Sequence, residues 1–322
     1  MKFYLAPLEG LTGYIFRNAQ ASHFNPLDKY FTPFIAANQN GKLSSRELND
    51  ILPEHNKGLN VVPQILTNKA ADFLLTIEKL QNFGYNEVNL NLGCPSGTVV
   101  SKNKGSGFLA TPDALNAFLE EVFSKSTAKI SIKTRIGKES PEEFGHLMDI
   151  FNQYPMEELI IHPRVQKDYY RNKPNMEVFK EALNNSKNPI CYNGDLFTLE
   201  DYQNFIQECP EVKTLMLGRG MIANPGLACE ILTSKGLQKD EFKAFHDHVF
   251  EDYQEVLHGD KNVLFKMKEM WFYMSYMFED VEKHAKRIRK SQRLQDYEEA
   301  VNLLFEEREI IPGAGLFSTK KA

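Results

Sequence analysis

Asn89-Leu90-Asn91-Leu92-Gly93-Cys94-Pro95, followed by the polar run Ser96 to Gly107, is the stretch on which the fold reading turns. Val88, Leu90 and Leu92 alternate with Asn89 and Asn91, which predicts a strand. Gly93 permits a sharp turn and Pro95 cannot continue strand pairing, so Cys94 stands at the strand's end. Beyond it lies a glycine-rich segment carrying Lys102 and Lys104, and the next helical pattern begins only at Thr111-Pro112-Asp113. A thiol between a rigid strand and a basic loop is the arrangement of a reactive group under a mobile cover.

Short apolar runs of the same kind recur along the chain: Phe3 to Ala6, Lys29 to Thr32, Val61 to Ile65, Val88 to Leu92, Lys129 to Lys133, Leu159 to His162, Pro189 to Asn193 and Thr214 to Leu217. Amphipathic patterns between them predict helices over Tyr14 to Ala21, Ser45 to Ile51, Ala70 to Phe83, Pro112 to Phe123, Pro141 to Asn152, Met176 to Leu183, Leu199 to Gln207 and Pro225 to Thr233. Alternation of strand and helix, eight of each, predicts an α/β fold, a (β/α)8 TIM barrel. From Lys239 the pattern is helical only, which predicts a small all-α helical bundle after the barrel. The expected domains are 1–238, a catalytic barrel; 239–312, a helical domain; and 313–322, a flexible tail.

Composition sets the frame. Hydrophobic residues make up 42% of the 322, enough for a full core, and the net charge of -5 argues against bulk attraction to nucleic acid. Any RNA contact must therefore rest on a local basic patch. No stretch approaches the roughly 20 apolar residues of a membrane span, and the first residues have too short an apolar run for a signal peptide. A cytoplasmic, monomeric protein without membrane contact is expected. Cys94, Cys191, Cys209 and Cys229 are scattered without metal-ligand spacing, so free thiols and no metal site are expected.

Barrel active sites are built at the carboxyl ends of the strands. Polar groups recur there: Glu9 after the first strand, Gln64 on the third, Asn91 and Cys94 on the fourth, Lys133 and Arg135 on the fifth, His162 and Arg164 on the sixth, Asn193 and Asp195 on the seventh, and Arg219 after the eighth. One such residue is ordinary packing chemistry, but a ring of them is not. Asn193-Gly194-Asp195 and Gly218-Arg219-Gly220 follow adjacent strands, where backbone N–H groups and a cation suit a phosphate. Ile130 and Ile132 are expected to point into the core and leave the Lys133 ammonium at the rim, facing an anionic ring edge or phosphate. Gln64 and Asn91 offer donors and acceptors to a flat heterocycle, and Ala6-Pro7-Leu8 an apolar wall. The constellation fits a phosphorylated planar cofactor.

Taken together, Ala6-Pro7-Leu8-Glu9-Gly10, Asn91-Leu92-Gly93-Cys94-Pro95, Lys133-Thr134-Arg135, His162-Pro163-Arg164 with Tyr170-Arg171 downstream, Asn193-Gly194-Asp195 and Gly218-Arg219-Gly220 resemble the tRNA-dihydrouridine synthases. The resemblance implies an FMN-dependent enzyme that reduces the C5–C6 double bond of particular uridines in tRNA, with NADPH as reductant. It implies flavin contacts from Pro7, Leu8, Gln64, Lys133, His162, Asn193, Asp195, Gly218 and Arg219. It places Asn91, Tyr170 and Arg171 at the substrate and makes Cys94 the proton donor to C5 while hydride reaches C6. A thiol of ordinary pKa, about 8.5, is mostly protonated at neutral pH and suits that task. The chain departs from the family in having Leu8 for a usual methionine, which keeps the wall apolar, and His162-Pro163-Arg164 for histidine-glycine-arginine, which stiffens the loop towards Tyr170.

A stacked uridine must be turned out before such chemistry, which requires grip elsewhere on the RNA. The stretch Lys283 to Arg293 holds six Lys or Arg and no acid. On a helix Lys283, Lys286, Arg287, Lys290 and Arg293 share one side, able to track phosphates. Lys266-Met267-Lys268 and Trp271-Phe272-Tyr273 form a second candidate, with the aromatics weighted towards bundle core. The competing readings are a barrel flavoenzyme acting on a small pyrimidine, akin to dihydroorotate or dihydropyrimidine dehydrogenases, a synthase acting on ribosomal RNA, and an RNA-binding protein without turnover.

Overall fold

The computed structural model describes residues 1–317. Its strands are β1 (Lys2–Leu5), β2 (Lys29–Phe31), β3 (Ile35–Ala36), β4 (Val61–Val62), β5 (Gln64–Leu66), β6 (Glu87–Leu92), β7 (Lys129–Arg135), β8 (Glu158–His162), β9 (Ile190–Tyr192) and β10 (Thr214–Leu217). They form one TIM-barrel-like sheet in the order β3-β5-β6-β7-β8-β9-β10-β1-β2-β4, with parallel pairing throughout. Each of the eight expected runs is a strand or a pair of strands. Val61 to Ile65 is split into β4 and β5 at Pro63, and Pro33 parts β2 from β3, a short strand beyond the expected run Lys29 to Thr32; neither proline has an N–H to give the ladder. Between the halves Thr32 compensates, its N–H donating to the Val62 carbonyl and its Oγ1 accepting the Gln64 N–H at 3.1 Å. Because β2 pairs with β4 and β3 with β5, the two ends of the strand order are joined by the chain itself.

By internal packing the described chain falls into two compact units. The first holds Met1–Pro7, Asp28–Asp195 and Glu211–Met216, and therefore nearly the whole sheet. Its interior contains Tyr4, Ala6, Phe31, Val62, Ile160, Cys191 and Met216. The second holds Leu8–Leu27, Leu196–Pro210 and the chain from Leu217 onward. Within the second unit the helix Tyr14–His23 packs on Lys239–Val256 through Phe16 and Phe245, whose rings meet edge-on at 5.6 Å. Within this second unit lie the helices Asp260–Met274, Glu282–Lys290 and Leu294–Glu307. Tyr297 Oη, buried, accepts from Trp271 Nε1 at 2.7 Å and lies 2.6 Å from His246 Nε2. His246 Nδ1 faces the Asp247 carboxylate, so the Tyr297 hydroxyl is the donor to Nε2.

Two expectations about chain ends and loops change. The described part of the tail is packed: Ala314 and Leu316 are buried, and the Phe317 ring meets Tyr276 at 5.4 Å and Phe197 at 5.9 Å. Residues 318–322 of the expected tail lie outside the described residues. The segment after Cys94 is folded as a helix (Gly97–Val100) and a 3-10 turn (Gly105–Ala110) whose Gly105 to Leu109 are buried. Gly105 has φ +57°, and a Cβ there would lie 2.8 Å from the Cys94 carbonyl oxygen. No helix among the described residues is long and apolar enough to cross a membrane.

Beneath the barrel mouth, Tyr4 Oη donates to Glu158 Oε1 at 3.3 Å, while Glu158 Oε2 is buried without a partner. Burial pushes the Glu158 carboxyl up to about 7, with Lys29 pulling the other way. Unfolding releases this acid to an ordinary pKa near 4.3. The folded chain thus holds a proton that the unfolded chain has lost as pH rises from about 4 to about 7, and stability falls across that window. Glu158→Gln should leave stability near the parent's at about pH 4.5 and raise it by up to about 3 kcal/mol at about pH 8. Urea denaturation at both pH values checks this, and a difference independent of pH would count against it.

Candidate active site

Register places the polar residues of β5, β6 and β7 side by side. Gln64 lies opposite Asn89, Asn89 opposite Ser131, and Asn91 opposite Lys133. Since Lys133 is in turn level with Ile160, and Ile160 with Cys191, this face is the barrel interior. Alternation then puts Ile130 and Ile132 on the opposite face. Lys133, not the isoleucines, points inward.

An amide ladder fixes these residues. Gln64 Nε2 donates to Asn89 Oδ1 at 2.7 Å, Asn89 Nδ2 to Ser131 Oγ at 2.9 Å, and Asn91 Nδ2 to Gln64 Oε1 at 2.7 Å. Asn91 Oδ1 accepts the N–H groups of Gly93 at 3.0 Å and Cys94 at 2.9 Å. Asn91 therefore sets the turn that carries Cys94. The other side of the turn is held by Ser106, whose Oγ donates to the Cys94 carbonyl at 2.8 Å. Cys94 itself is half-buried. Burial pushes its pKa up, against weaker lowering by the Ser96 N–H, Arg135 and Lys133, so the thiol is protonated at neutral pH.

Around it stand the cations Lys133, Arg135 and Arg164, with the carboxylates of Asp168 and Asp195 beside the two arginines. Burial, reinforced by Arg135, lowers Lys133 to about 8. Arg135 is buried, its Nε donating to the Gly93 carbonyl at 3.0 Å, Nη1 to Val165 at 2.9 Å and Nη2 to Tyr169 at 2.8 Å. Arg164, also buried, makes a two-pronged pair with both Asp195 carboxylate oxygens and donates through Nε to the Asn172 carbonyl at 2.6 Å. His162 Nδ1 donates to the Asn193 carbonyl at 2.6 Å, leaving Nε2 as acceptor for the Arg164 Nη1 at 3.4 Å. Burial and then the charges of Arg135, Lys133 and Arg164 hold His162 well below its usual pKa, so it is neutral at pH 7. Asn193 Nδ2 donates to the Met216 carbonyl at 2.7 Å. Gly194 is required beside it, because a Cβ would fall 1.9 Å from the Tyr192 hydroxyl.

The first unit thus brings together Gln64, Asn91, Cys94, Lys133, His162, Asn193 and Asp195. Tyr170 joins them: its ring is 6.0 Å from the His162 ring and 5.5 Å from the Arg135 guanidinium carbon, and it is exposed. Arg171, next in sequence, is exposed on the same loop. Pro7 ends the first segment of this unit, whereas Leu8, Gly218 and Arg219 belong to the second. There, Leu8 opens a turn closed by its N–H to Thr12 Oγ1 at 2.7 Å, and Arg219 lies 5.2 Å over the Phe197 ring.

Lys283, Lys286, Arg287 and Lys290 are exposed on the helix Glu282–Lys290 of the second unit. Arg293 departs from expectation. The helix ends at Lys290, and Arg293 instead precedes the next helix, donating to Asp296. Of the aromatic run, Trp271 is core, and Phe272 is 61% exposed. Sequence reasoning named Arg135 and Arg164 as rim groups but missed that they clamp loops, and it missed Asn89 and Ser131. The signal for Asn89 was its spacing of two from Asn91.

The chain matches the family described as "Dihydrouridine synthase (Dus)" over residues 4–311. A tRNA-dihydrouridine(16) synthase of Pseudomonas putida is 26% identical over 255 residues, covering 77% of this chain and 78% of the relative. A probable tRNA-dihydrouridine synthase of Staphylococcus aureus is 27% identical over 241 residues, with 69% of each chain covered. Among solved structures, the old yellow enzyme from Trypanosoma cruzi aligns with TM-score 0.52 at 10% identity, covering 76% of this chain and 91% of that one. Morphinone reductase aligns with TM-score 0.51 at 11% identity, over 76% and 88% respectively. Both show the barrel-type fold alone.

Arg135→Ala should cost about 3 kcal/mol, since the buried carbonyl of Val165 and the part-buried carbonyls of Gly93 and Tyr169 lose a charged donor at once. It should also expose the Tyr169 to Arg171 loop to protease. Chemical denaturation with limited proteolysis checks this, and a loop that stays resistant would contradict the clamp.

Proposed function

The chain belongs to the dihydrouridine synthase family and its reaction is the reduction of uridine in tRNA to dihydrouridine, and from that premise we propose how its residues divide the work. The observation that carries the proposal is Cys94, a thiol kept protonated by burial and fixed at the end of β6 by Asn91. As hydride arrives at uracil C6, negative charge builds at C5 and its neighbouring carbonyl, and Cys94 gives its proton to C5. The thiolate so formed lies in the field of Arg135 and Lys133, which lower its energy until solvent reprotonates it.

FMN held at this mouth, with NADPH as its reductant, would supply the hydride. The residues present fit such a group: the cations Lys133, Arg135 and Arg164 outnumber the carboxylates beside them, Asp195 paired to Arg164 and Asp168 near Arg135, and His162 is neutral, so the mouth favours a phosphorylated, anionic ring system. Gln64, Lys133, His162, Asn193 and Asp195 serve it from the first unit, Asp195 acting through Arg164. By family resemblance Pro7, Leu8, Gly218 and Arg219 serve the same cofactor. Asn91, Tyr170 and Arg171 serve the uridine, and Lys283, Lys286, Arg287 and Lys290 the tRNA backbone. In this reading 1–238 is the FMN-binding catalytic part and 239–312 the RNA-binding part.

Cys94→Ala should retain flavin and lower dihydrouridine formation at least about 100-fold. Mapping of dihydrouridines in total tRNA, beginning at position 16, reads the outcome, and parent-like rates would overturn the assignment. Lys133 gives a second check. With a pKa of about 8 it is charged below that pH and neutral above. FMN affinity should therefore hold steady up to about pH 7 and weaken as pH rises through about 8 to 9. Titration of the flavin-free protein should show this, and Lys133→Met should remove the pH dependence.

A further inference from the structure

A second basic feature of the first unit takes no part in the chemistry above. At the carboxyl ends of β3 and β5 an open basin of about 950 Å³ is lined by Asn38, Lys42, Asn68, Lys69, Lys102 and Lys104, among others. One wall is the turn after β3, held by Asn38, whose Nδ2 donates to the Lys42 carbonyl at 2.8 Å and whose Oδ1 accepts the Lys42 N–H at 3.1 Å. The second is the turn after β5 that carries Lys69. The third is the segment after Cys94, tied to the second by Asn68 Nδ2, which donates to the carbonyls of Lys102 at 3.2 Å and Asn103 at 3.1 Å. The basin therefore shares one wall, the segment after Cys94, with the support of the thiol.

Its charge is unbalanced. None of the ammonium groups of Lys42, Lys69, Lys102 and Lys104 makes an ion pair or side-chain hydrogen bond among the described residues. Two carboxylates share the lining, Glu47 and Asp72, so four positive charges meet two negative. Glu47 is already engaged by the Ala36 N–H at 2.7 Å and by the Ser44 N–H and hydroxyl at 2.8 and 2.7 Å. An acidic chain that leaves four lysines unpaired in one basin has placed an anion site there.

We propose that this basin binds the phosphodiester backbone of the RNA substrate beside the turned-out uridine. The proposal rests on the reading of the chain as a tRNA uridine reductase. A base lifted out of its stack brings its flanking phosphates to the mouth of the site that receives it. Mobile ammonium groups on an open wall suit a chain of phosphates as point charges. The lining has no aromatic side chain and Leu43 is its one large apolar residue, so it offers no wall for the rings of a nicotinamide dinucleotide.

The test compares the flavin-loaded parent with Lys42→Ala/Lys69→Ala, with the variant carrying alanine at all four lysines, and with the variant carrying arginine at all four. Binding of an unmodified tRNA transcript is measured across a salt series, together with the KM for NADPH. Each lysine that meets a phosphate reduces the steepness of log affinity against log salt by about 1. The fourfold alanine variant should lose about 2 or more in slope and at least about tenfold in affinity at low salt, the double variant about half that loss of slope, and the arginine variant neither. Flavin content and the KM for NADPH should stay at parent values. An unchanged slope overturns the proposal, as does a raised KM for NADPH with unchanged tRNA affinity, which would make the basin a dinucleotide site. If the parent itself forms no dihydrouridine in tRNA, the functional reading fails instead, and the two failures are distinct.

Discussion

The guanidinium of Arg135 is the interaction on which the mouth of the barrel depends. One buried planar group donates to carbonyls from two loops, Gly93 after β6 and Val165 and Tyr169 after β8. Gly93 precedes the thiol and Tyr169 precedes the exposed Tyr170, so one side chain sets the thiol and the aromatic ring in register. Only arginine presents enough donors in a fixed plane to do this. The strain it holds is visible at Tyr169, a non-glycine residue with φ +50°, a conformation of higher energy that persists because the carbonyl is pinned.

Burying such a cation has consequences for its neighbours. Arg135, Arg164 and Lys133 stand close enough that each disfavours positive charge on His162, and Asp195 is bonded to Arg164. The barrel responds by keeping His162 neutral and by weakening the proton affinity of Lys133. A site that holds its cations at this cost is arranged for an anion that relieves it. The same field acts oppositely on Cys94: it favours the thiolate, but burial outweighs it and the thiol keeps its proton.

The strands were legible because parallel strands buried on both faces read as near-continuous apolar runs, and all eight runs lie where the periodicity puts them. The breaks at Pro33 and Pro63 were present in the sequence but carry no message until pairing is known. Inward and outward faces were harder. In Ile130-Ser131-Ile132-Lys133 both faces are buried, so apolarity does not say which is the interior, and only the register with Asn91 and Ile160 decides it. The cluster of site residues was legible because its members end consecutive strands. The roles of Arg135 and of the Gln64–Asn89–Ser131 ladder were not, because hydrogen bonds to backbone carbonyls and between distant amides leave no periodic trace. Arg293 was misplaced because a charge run does not reveal the helix end at Lys290.

The folding of the segment after Cys94 changes what that segment can contribute. Glycines and lysines in series suggested a mobile flap, yet Gly105 and Gly107 are there because backbone packs against backbone: a Cβ at Gly105 would meet the Cys94 carbonyl at 2.8 Å and one at Gly107 the Val100 carbonyl at 2.9 Å. Ser106 completes the contact from its buried position. The thiol is thus held from both directions along the chain, by Asn91 before it and by Ser106 after it. With the thiol's position fixed, the proposed proton donor has a set direction, and in that reading the uridine is brought to the thiol. Lys102 and Lys104 stand on the same segment that buttresses Cys94, so in the proposed reading the element that fixes the acid also lines the basin offered to the substrate's phosphates.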